Sequence, residues 1–235
     1  HNYTTQLISF SPLVIYIHNF VSPSEATSLV TTGSALLQPS PVTGSGTGAD
    51  LSQARTSSSA PMPATDHAVA CVLSRAQAFL GTLLAPGRDD MGQMQMVRYT
   101  DGQKFDLHHD WFKRPRVLDA DARVGRKRMY NRAATLFVTL QSNITGGGET
   151  WFPGVKAVSP QDRDGDKGGE GEERVWREHE EGGLAFKAVP GNAVFWVNLL
   201  EDGTGDGRTL HAGLPVEGGV KTALNIWPRR FFGPE

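Results

Sequence analysis

From residue 93 onward every apolar run is about as short as a single strand and is bounded by turn residues. "QMQMVRY", "ATLFVTLQ", "GLAFKAVP", "NAVFWVNL" and "TALNIWPR" are each rich in β-branched, aromatic or alternating residues. None is long enough, or periodic enough at 3.6 residues, for a helix of useful length. The chain supplies the corners such a fold needs: 27 Gly and 14 Pro among 235 residues. This half must fold as many short strands in sheets, not as a helical bundle.

The first half reads differently. "LVIYIH" at 13–18 predicts a strand, and "SPSEA" then gives a helix start. Ser22 can cap, Pro23 suits the first turn and Glu25 completes a capping box. Ala26, Leu29, Val30, Leu36 and Leu37 supply an apolar face, with the helix ending near Pro39. Residues 38–65 read as a long irregular connection. A second helix is expected from Thr65 or Asp66, carried by Val69, Val72, Leu73, Ala76, Phe79, Leu80 and Leu83 and stopped by "PGRDD". Both helices read as packing layers. The fold class expected is therefore mainly β with flanking helices (α+β), the N-terminal helices lying on one side of a sheet-rich core. Residues 1–235 are expected to form a single domain, with 1–92 supporting a core over 93–235.

Composition excludes some functions. A formal net charge of −2 gives no basic field for nucleic acid. The longest apolar runs, such as "PLVIYI" at 12–17, are too short to span a bilayer. Because the chain begins at His1 rather than Met, an upstream anchor or targeting segment is expected to have been removed. Cys71 cannot form an internal disulfide and is expected to be a buried small hydrophobe. Sequons at Asn2 and Asn143 point towards the endoplasmic reticulum lumen or secretory pathway. Residues 113–131, with "KRPR" and "RKR", and residues 159–183 read as mobile charged surface loops. The basic one could meet an acidic partner or simply face solvent.

Chemistry concentrates in "KFDLHHDWF" at 104–112. In an extended chain, residues two apart share a face, so His108 and Asp110 project together while His109 points away. A metal site needs a further ligand. Apart from the terminal His1, the histidines outside this stretch are His18, His67, His179 and His211. His179 sits in a charged loop, whereas His211 stands in "RTLHAGLPV", with apolar neighbours on both sides and a turn close by. Two histidines and a carboxylate suit a non-haem Fe(II) site with open positions, although zinc hydrolases use similar ligands. Lys221 follows ten residues after His211, in a strand-like segment. An antiparallel return would bring its ammonium into the same cavity, where a buried lysine calls for an anion. On spacing alone it could equally be a surface residue.

Three segments together, "RYTDGQKFDLHHDWF", "RAATLFVTLQSNITGGGETWFP" and "TLHAGLPVEGGVKTALNIW", resemble the catalytic domain of prolyl 4-hydroxylases, which are Fe(II)- and 2-oxoglutarate-dependent dioxygenases. The resemblance covers about residues 93–231 and extends more weakly to "PLVIYIHNFVSPSEATSLV". It implies a double-stranded β-helix, a jelly-roll barrel whose mouth holds the metal. It implies His108, Asp110 and His211 as iron ligands and Lys221 as the partner of the distal carboxylate of 2-oxoglutarate. Thr150 and Tyr99 match residues of the same pocket. Phe105, Arg132 and Trp227 match positions near the substrate, with core packing the alternative for Phe105 and Trp227. Arg55 and Ser57 match a loop over the peptide. Thr139 stands where the family often has tyrosine, Arg229 where a histidine is common, and the 159–183 segment is longer and more charged than usual.

The activity the resemblance implies is hydroxylation of peptidyl proline, using O2 and converting 2-oxoglutarate to succinate and CO2, with ascorbate as reductant. Asp110 occupies the position that related halogenases leave for chloride, which disfavours halogenation. Lysyl hydroxylases and oxygen-sensing prolyl hydroxylases usually carry arginine where Lys221 stands. The alternatives are hydroxylation of another peptide residue or of a small natural product, and a non-catalytic or zinc-binding barrel.

Overall fold

The computed structural model describes residues 1–40, 54–158 and 174–234. An eight-stranded antiparallel sheet runs in the order β1 (Thr4–Phe10), β2 (Leu13–His18), β14 (Ala193–Val197), β9 (Ala134–Ser142), β17 (Val220–Ile226), β5 (Gln95–Thr100), β4 (Ser58–Pro61) and β3 (Gln38–Pro39). Facing it is a five-stranded sheet: β12 (Trp176–Glu178), β13 (Leu184–Phe186), β11 (Thr150–Phe152), β15 (His211–Gly213) and β6 (Phe105–His108). A three-stranded sheet of β18 (Arg229–Phe232), β8 (Met129–Arg132) and β7 (Arg116–Val117) flanks the mouth. The short pair β10 (Gly146–Gly147) and β16 (Val216–Glu217) closes one corner. This is the double-stranded β-helix.

Strand alternation explains how one sheet serves two cores. Along β9, Leu136, Val138 and Leu140 face the helices, and Phe137 packs on the barrel side. Along β14, Ala193 and Phe195 join the helix-side core, while Val194 and Trp196 pack inside with Tyr16, Phe152 and Phe186. On β17, Leu224 and Ile226 face the helices and Ala223 faces inward. The helix-side core also contains Leu29, Val69, Val72 and Ala76, so residues of the first 92 complete the burial of the large sheet.

The helix α1 (Pro23–Ser34) starts as expected. Ser22 Oγ accepts from the Glu25 N–H, Glu25 accepts from the Ser22 N–H, and Pro23 occupies the first turn. Glu25 also pairs with Arg75 at 2.6 Å, tying α1 to α2 (His67–Leu80), whose cap is Asp66.

Several expectations are corrected. Helix α1 stops at Ser34 rather than near Pro39, leaving Leu36 and Leu37 outside it. Helix α2 ends at Leu80, ahead of "PGRDD", because Gly81 takes a positive φ and a 3-10 turn follows. The 38–65 connection contributes β3 and β4 to the large sheet; its residues 41–53 lie outside the described residues. Residues 113–131 are not a mobile loop: they contain β7, the helix α3 (Asp119–Arg123) and part of β8. Buried Asp121 binds Arg128 at 2.8 Å and steadies the segment. Within the second charged stretch, 159–173 lie outside the described residues, but Trp176 is buried in an edge strand and His179 stacks on Trp151. Cys71 is half-buried beside His67 rather than in the core. The strand β1 was not anticipated; it pairs with β2 in a hairpin.

Candidate active site

His108 ends β6 and His211 begins β15, and the two are register partners across the antiparallel ladder. Asp110 lies two residues beyond the end of β6. One ligand atom from each of the three residues lies within 4.8 Å of the others. The histidine tautomers are set by the backbone. His108 Nδ1 lies 2.7 Å from the Asp106 carbonyl, and His211 Nδ1 lies 2.9 Å from the Thr209 carbonyl. A carbonyl only accepts, so each Nδ1 carries the proton and each Nε2 keeps its lone pair. Those Nε2 atoms stand 3.9 and 3.8 Å from the Asp110 carboxylate oxygens, beyond hydrogen bonding, which leaves room for a cation between them.

Electrostatics agree with that use. Burial, and then the neighbouring His211, push His108 down to about 3; burial also lowers His211. Both rings are neutral at neutral pH, the form that binds metal. Burial opposes ionisation of Asp110, but the two imidazoles and Arg132 outweigh it and hold the carboxyl below its usual range. Asp110 is also fixed in place. Its Oδ2 accepts from Thr135 Oγ at 2.8 Å, and Asn198 Nδ2 donates to that hydroxyl at 2.9 Å. Arg132 donates to the Asp110 backbone carbonyl at 3.1 Å.

The triad opens into a cleft of about 810 Å³ that Lys221 also lines. Lys221 lies on β17 opposite Tyr99 of β5, and its side chain enters the space between the two main sheets. It is 2% exposed, and its Nζ donates to the Gly148 carbonyl at 2.6 Å. The rings of Phe137 and Tyr99 lie 5.0 and 5.7 Å from the ammonium. Burial dominates over the neighbouring Glu149 and brings Lys221 down to about 8. Gly148 has a φ of 68°, and a Cβ there would meet Ile144 Cδ1 at 2.8 Å, so the corner presenting that carbonyl requires glycine. Thr150, opposite Gly213 in the β11–β15 ladder, lines the same cleft.

A neutral-imidazole pair plus a carboxylate, with a buried ammonium lining the same cleft, fit a metal that shares a dianion with the protein. The family model of the 2OG-Fe(II) oxygenase superfamily matches residues 94–229. The chain belongs to that superfamily. Among curated relatives of this oxygenase, probable prolyl 4-hydroxylase 6 of Arabidopsis thaliana is 34% identical over 134 residues, 57% of this chain and 40% of the relative. Probable prolyl 4-hydroxylase 7 of the same plant is 29% identical over 224 residues, 95% of this chain and 64% of the relative. The chain thus spans 40% and 64% of the lengths of these two relatives. Among solved structures, the viral collagen prolyl hydroxylase of Paramecium Bursaria Chlorella virus-1, in its 2OG complex, has a TM-score of 0.62 at 23% identity. That match covers 92% of this chain and 95% of the viral one.

The oxygenase gathers nearly all the anticipated residues. His108, Asp110, His211, Lys221, Tyr99, Thr150, Arg55, Phe105, Arg132 and Trp227 line one cleft. Phe105 is half-buried, stacked on His108 with centroids 3.6 Å apart, and the Arg55 guanidinium lies over the Phe105 ring, 4.8 Å from its centroid. Arg132 stacks over Trp227 at 3.6 Å. Ser57 is the exception. It is buried behind the wall, accepting from Arg55 Nε at 3.2 Å, so it supports Arg55 rather than covering a peptide. His109 stays out of the triad but does not leave the cleft: the strand ends at His108, and His109 lines the same cleft with its Nε2 3.2 Å from the Gly207 carbonyl and its ring against Trp111. Thr139 lines a small side cavity beside Thr150, and Arg229 is engaged by Asp90 at 2.6 Å.

Sequence reasoning missed Thr135 and Asn198. A signal existed for Thr135: a hydroxyl at the start of the apolar run "ATLFVTLQ" must find a buried partner. It also missed Trp196 and Asn225, which line the cleft but read in sequence as ordinary strand residues.

Proposed function

We propose that this chain is a single catalytic domain that hydroxylates proline in peptides, with His108, Asp110 and His211 binding Fe(II) and Lys221 binding 2-oxoglutarate. One observation carries the reading: the triad and the buried ammonium line one cleft, whose rim includes the exposed residues Asp106, Leu107 and Lys113 to Arg116. The donor set fits iron because both Nε2 atoms are unprotonated and the third ligand is an ionised carboxylate. When bound, Fe(II) with 2-oxoglutarate and O2 supplies the oxidising power to hydroxylate an unactivated C–H bond, giving succinate and CO2.

The protein's part is binding and orientation. Lys221 offers a desolvated positive charge to the distal carboxylate, with Tyr99 and Thr150 beside it. The Asp106 and Thr209 carbonyls fix the tautomers of His108 and His211, and Thr135 fixes Asp110. Arg132 and Trp227 form the wall on which a peptide would lie, while Phe105 and Arg55 flank the metal position. The prolyl 4-hydroxylase names of the relatives and the lysine at position 221 favour proline over another peptide residue or a small natural product. Ascorbate is assigned as the reductant that maintains Fe(II). The exposed sequon residues Asn2 and Asn143 support a secretory setting. Among the described residues no helix is long and apolar enough to cross a membrane.

The test supplies Fe(II), ascorbate, 2-oxoglutarate and proline-rich peptides and follows peptide mass and succinate. A one-oxygen gain on proline matched by succinate is expected. An iron-loaded protein that leaves every proline peptide unchanged while oxidising another residue or a small molecule would overturn the substrate assignment.

A further inference from the structure

The basic run Lys113-Arg114-Pro115-Arg116 takes no part in the chemistry above, yet all of it lines the mouth of the cleft. The backbone at both ends of the run is anchored. Asn131, 2% exposed, accepts from the Phe112 N–H at 2.8 Å and donates to the Phe112 carbonyl at 2.9 Å. Arg116 then pairs with Tyr130 in the β7–β8 ladder. The guanidiniums of Arg116 and Arg132 both lie over the Phe112 ring, at 3.9 and 4.9 Å. Positive charge is therefore gathered on one stretch whose backbone is anchored at both ends, by Phe112 and Arg116.

The cleft holds little to balance it. Its carboxylates are Asp106, which pairs with Lys104 at 2.7 Å, and Asp110, which belongs to the triad. The charge of 2-oxoglutarate is taken up by the metal and Lys221. Among the described residues no carboxylate lies within ion-pair distance of Lys113, Arg114 or Arg116. A partly enclosed, like-charged surface attracts and orients the opposite charge.

We propose that the peptide substrate carries Asp or Glu within a few residues of the target proline, and that the ledge of Lys113, Arg114 and Arg116 selects it. This deepens the peptide reading of the cleft and rests on it. Position fits role: the ledge begins three residues after Asp110 and lines the same cleft, so a peptide placing a side chain at the metal has its neighbouring residues near these cations. Exposed charge pairs are individually weak, but several acting on one carboxylate favour acidic over basic flanks by about tenfold at low salt.

The experiment compares three short labelled peptides, each with one central proline and flanked by Glu, Gln or Lys. Binding to the metal- and 2-oxoglutarate-loaded protein is read by fluorescence anisotropy, and turnover is read in parallel. The Glu peptide should bind about tenfold more tightly than the Lys peptide, the gap closing as salt is added. The Lys113→Glu/Arg114→Glu variant, which leaves the Arg116–Phe112 stack intact, should reverse the order with an unchanged melting temperature. Equal binding of Glu and Lys peptides overturns the proposal, whatever the turnover. Preferential binding of the Glu peptide with no hydroxylation keeps the ledge and removes proline as the target. Tighter binding of a single-stranded oligonucleotide than of the Glu peptide would overturn it in favour of a nucleic-acid surface.

Discussion

Lys221→Met separates stability from cosubstrate binding, because the wild-type charge serves one at the expense of the other. Burial lowers Lys221 from 10.5 to about 8. At about 1.4 kcal/mol per unit, holding that charge at neutral pH destabilises the ligand-free protein by roughly 3 kcal/mol. Methionine has similar length and removes this cost, but leaves the Gly148 carbonyl without its donor, a loss of about 1–3 kcal/mol. The difference predicts a ligand-free variant as stable as wild type or up to about 2 kcal/mol more stable, an upward Tm change of a few degrees for a chain of this size. Its affinity for 2-oxoglutarate should fall by about 10- to 100-fold, the worth of a hydrogen bond to a charged group. Thermal melts of the Mn(II)-loaded proteins with and without 2-oxoglutarate would show both effects. Wild type should gain stability from the ligand, and the variant should start level or higher and gain little. A variant that melts well below wild type yet keeps the full ligand-induced shift would refute the reasoning, since Lys221 would then be holding the fold and not the anion.

The remaining predictions concern the same site. Because Lys221 is depressed in the folded state, the folded protein binds fewer protons than the unfolded chain between about pH 8 and 10.5. Stability conferred by residue 221 should therefore rise with pH across that window, a slope absent in Lys221→Met denaturation series. The ligand-binding effect has the opposite sign: 2-oxoglutarate affinity should weaken above about pH 8, approaching tenfold per unit, as calorimetry on the Mn(II) form would show. His108→Ala should abolish turnover and lower metal affinity by at least about 100-fold, whereas His109→Ala, whose ring faces Gly207 and Trp111, should leave metal affinity nearly unchanged in competition with a chelating dye. Thr135→Val removes the hydroxyl that holds Asp110 and should weaken metal binding about 10- to 100-fold, with Thr135→Ser restoring most of it; equal affinities in all three proteins would remove Thr135 from the site.

Local rules made part of this molecule legible in advance, and the limits of those rules explain the remainder. A two-residue period paired His108 with Asp110 and left His109 out of the triad, and the β6–β15 ladder completes the set by placing His211 opposite His108, although β6 ends at His108 and His109 lines the same cleft. Capping chemistry located the start of α1 because Ser22, Pro23 and Glu25 act on one another without help from distant chain. Helix ends were less legible: Leu36 and Leu37 continue the apolar pattern of α1, yet the chain leaves the helix at Ser34 to enter β3. The basic segment 113–131 looked like a loop because it has few apolar residues. Its order comes from Asp121, Asn131 and the Phe112 ring, partners that sequence spacing does not reveal.

The same contrast separates the residues of the site. A metal ligand announces itself through residue type and strand phase, both local properties. The roles of Thr135 and Asn198 depend on a sheet register that joins β9 to β14 and brings Asp110 against them. Lys221 lies between these cases. Its chemistry could be anticipated, but whether it faced solvent or the barrel depended on the phase of β17. The register shift between Thr222 and Ala223 in the β9 pairing places its extra residue, Leu140, on β9, so the alternation of β17 runs unbroken from Lys221. In β17, Leu224 and Ile226 face the helices while Lys221 and Asn225 line the cleft. Inward projection of the lysine is therefore the direct consequence of burying the strand's alternate apolar residues beneath α1 and α2. Packing on the helix side thereby aims the cation at its ligand.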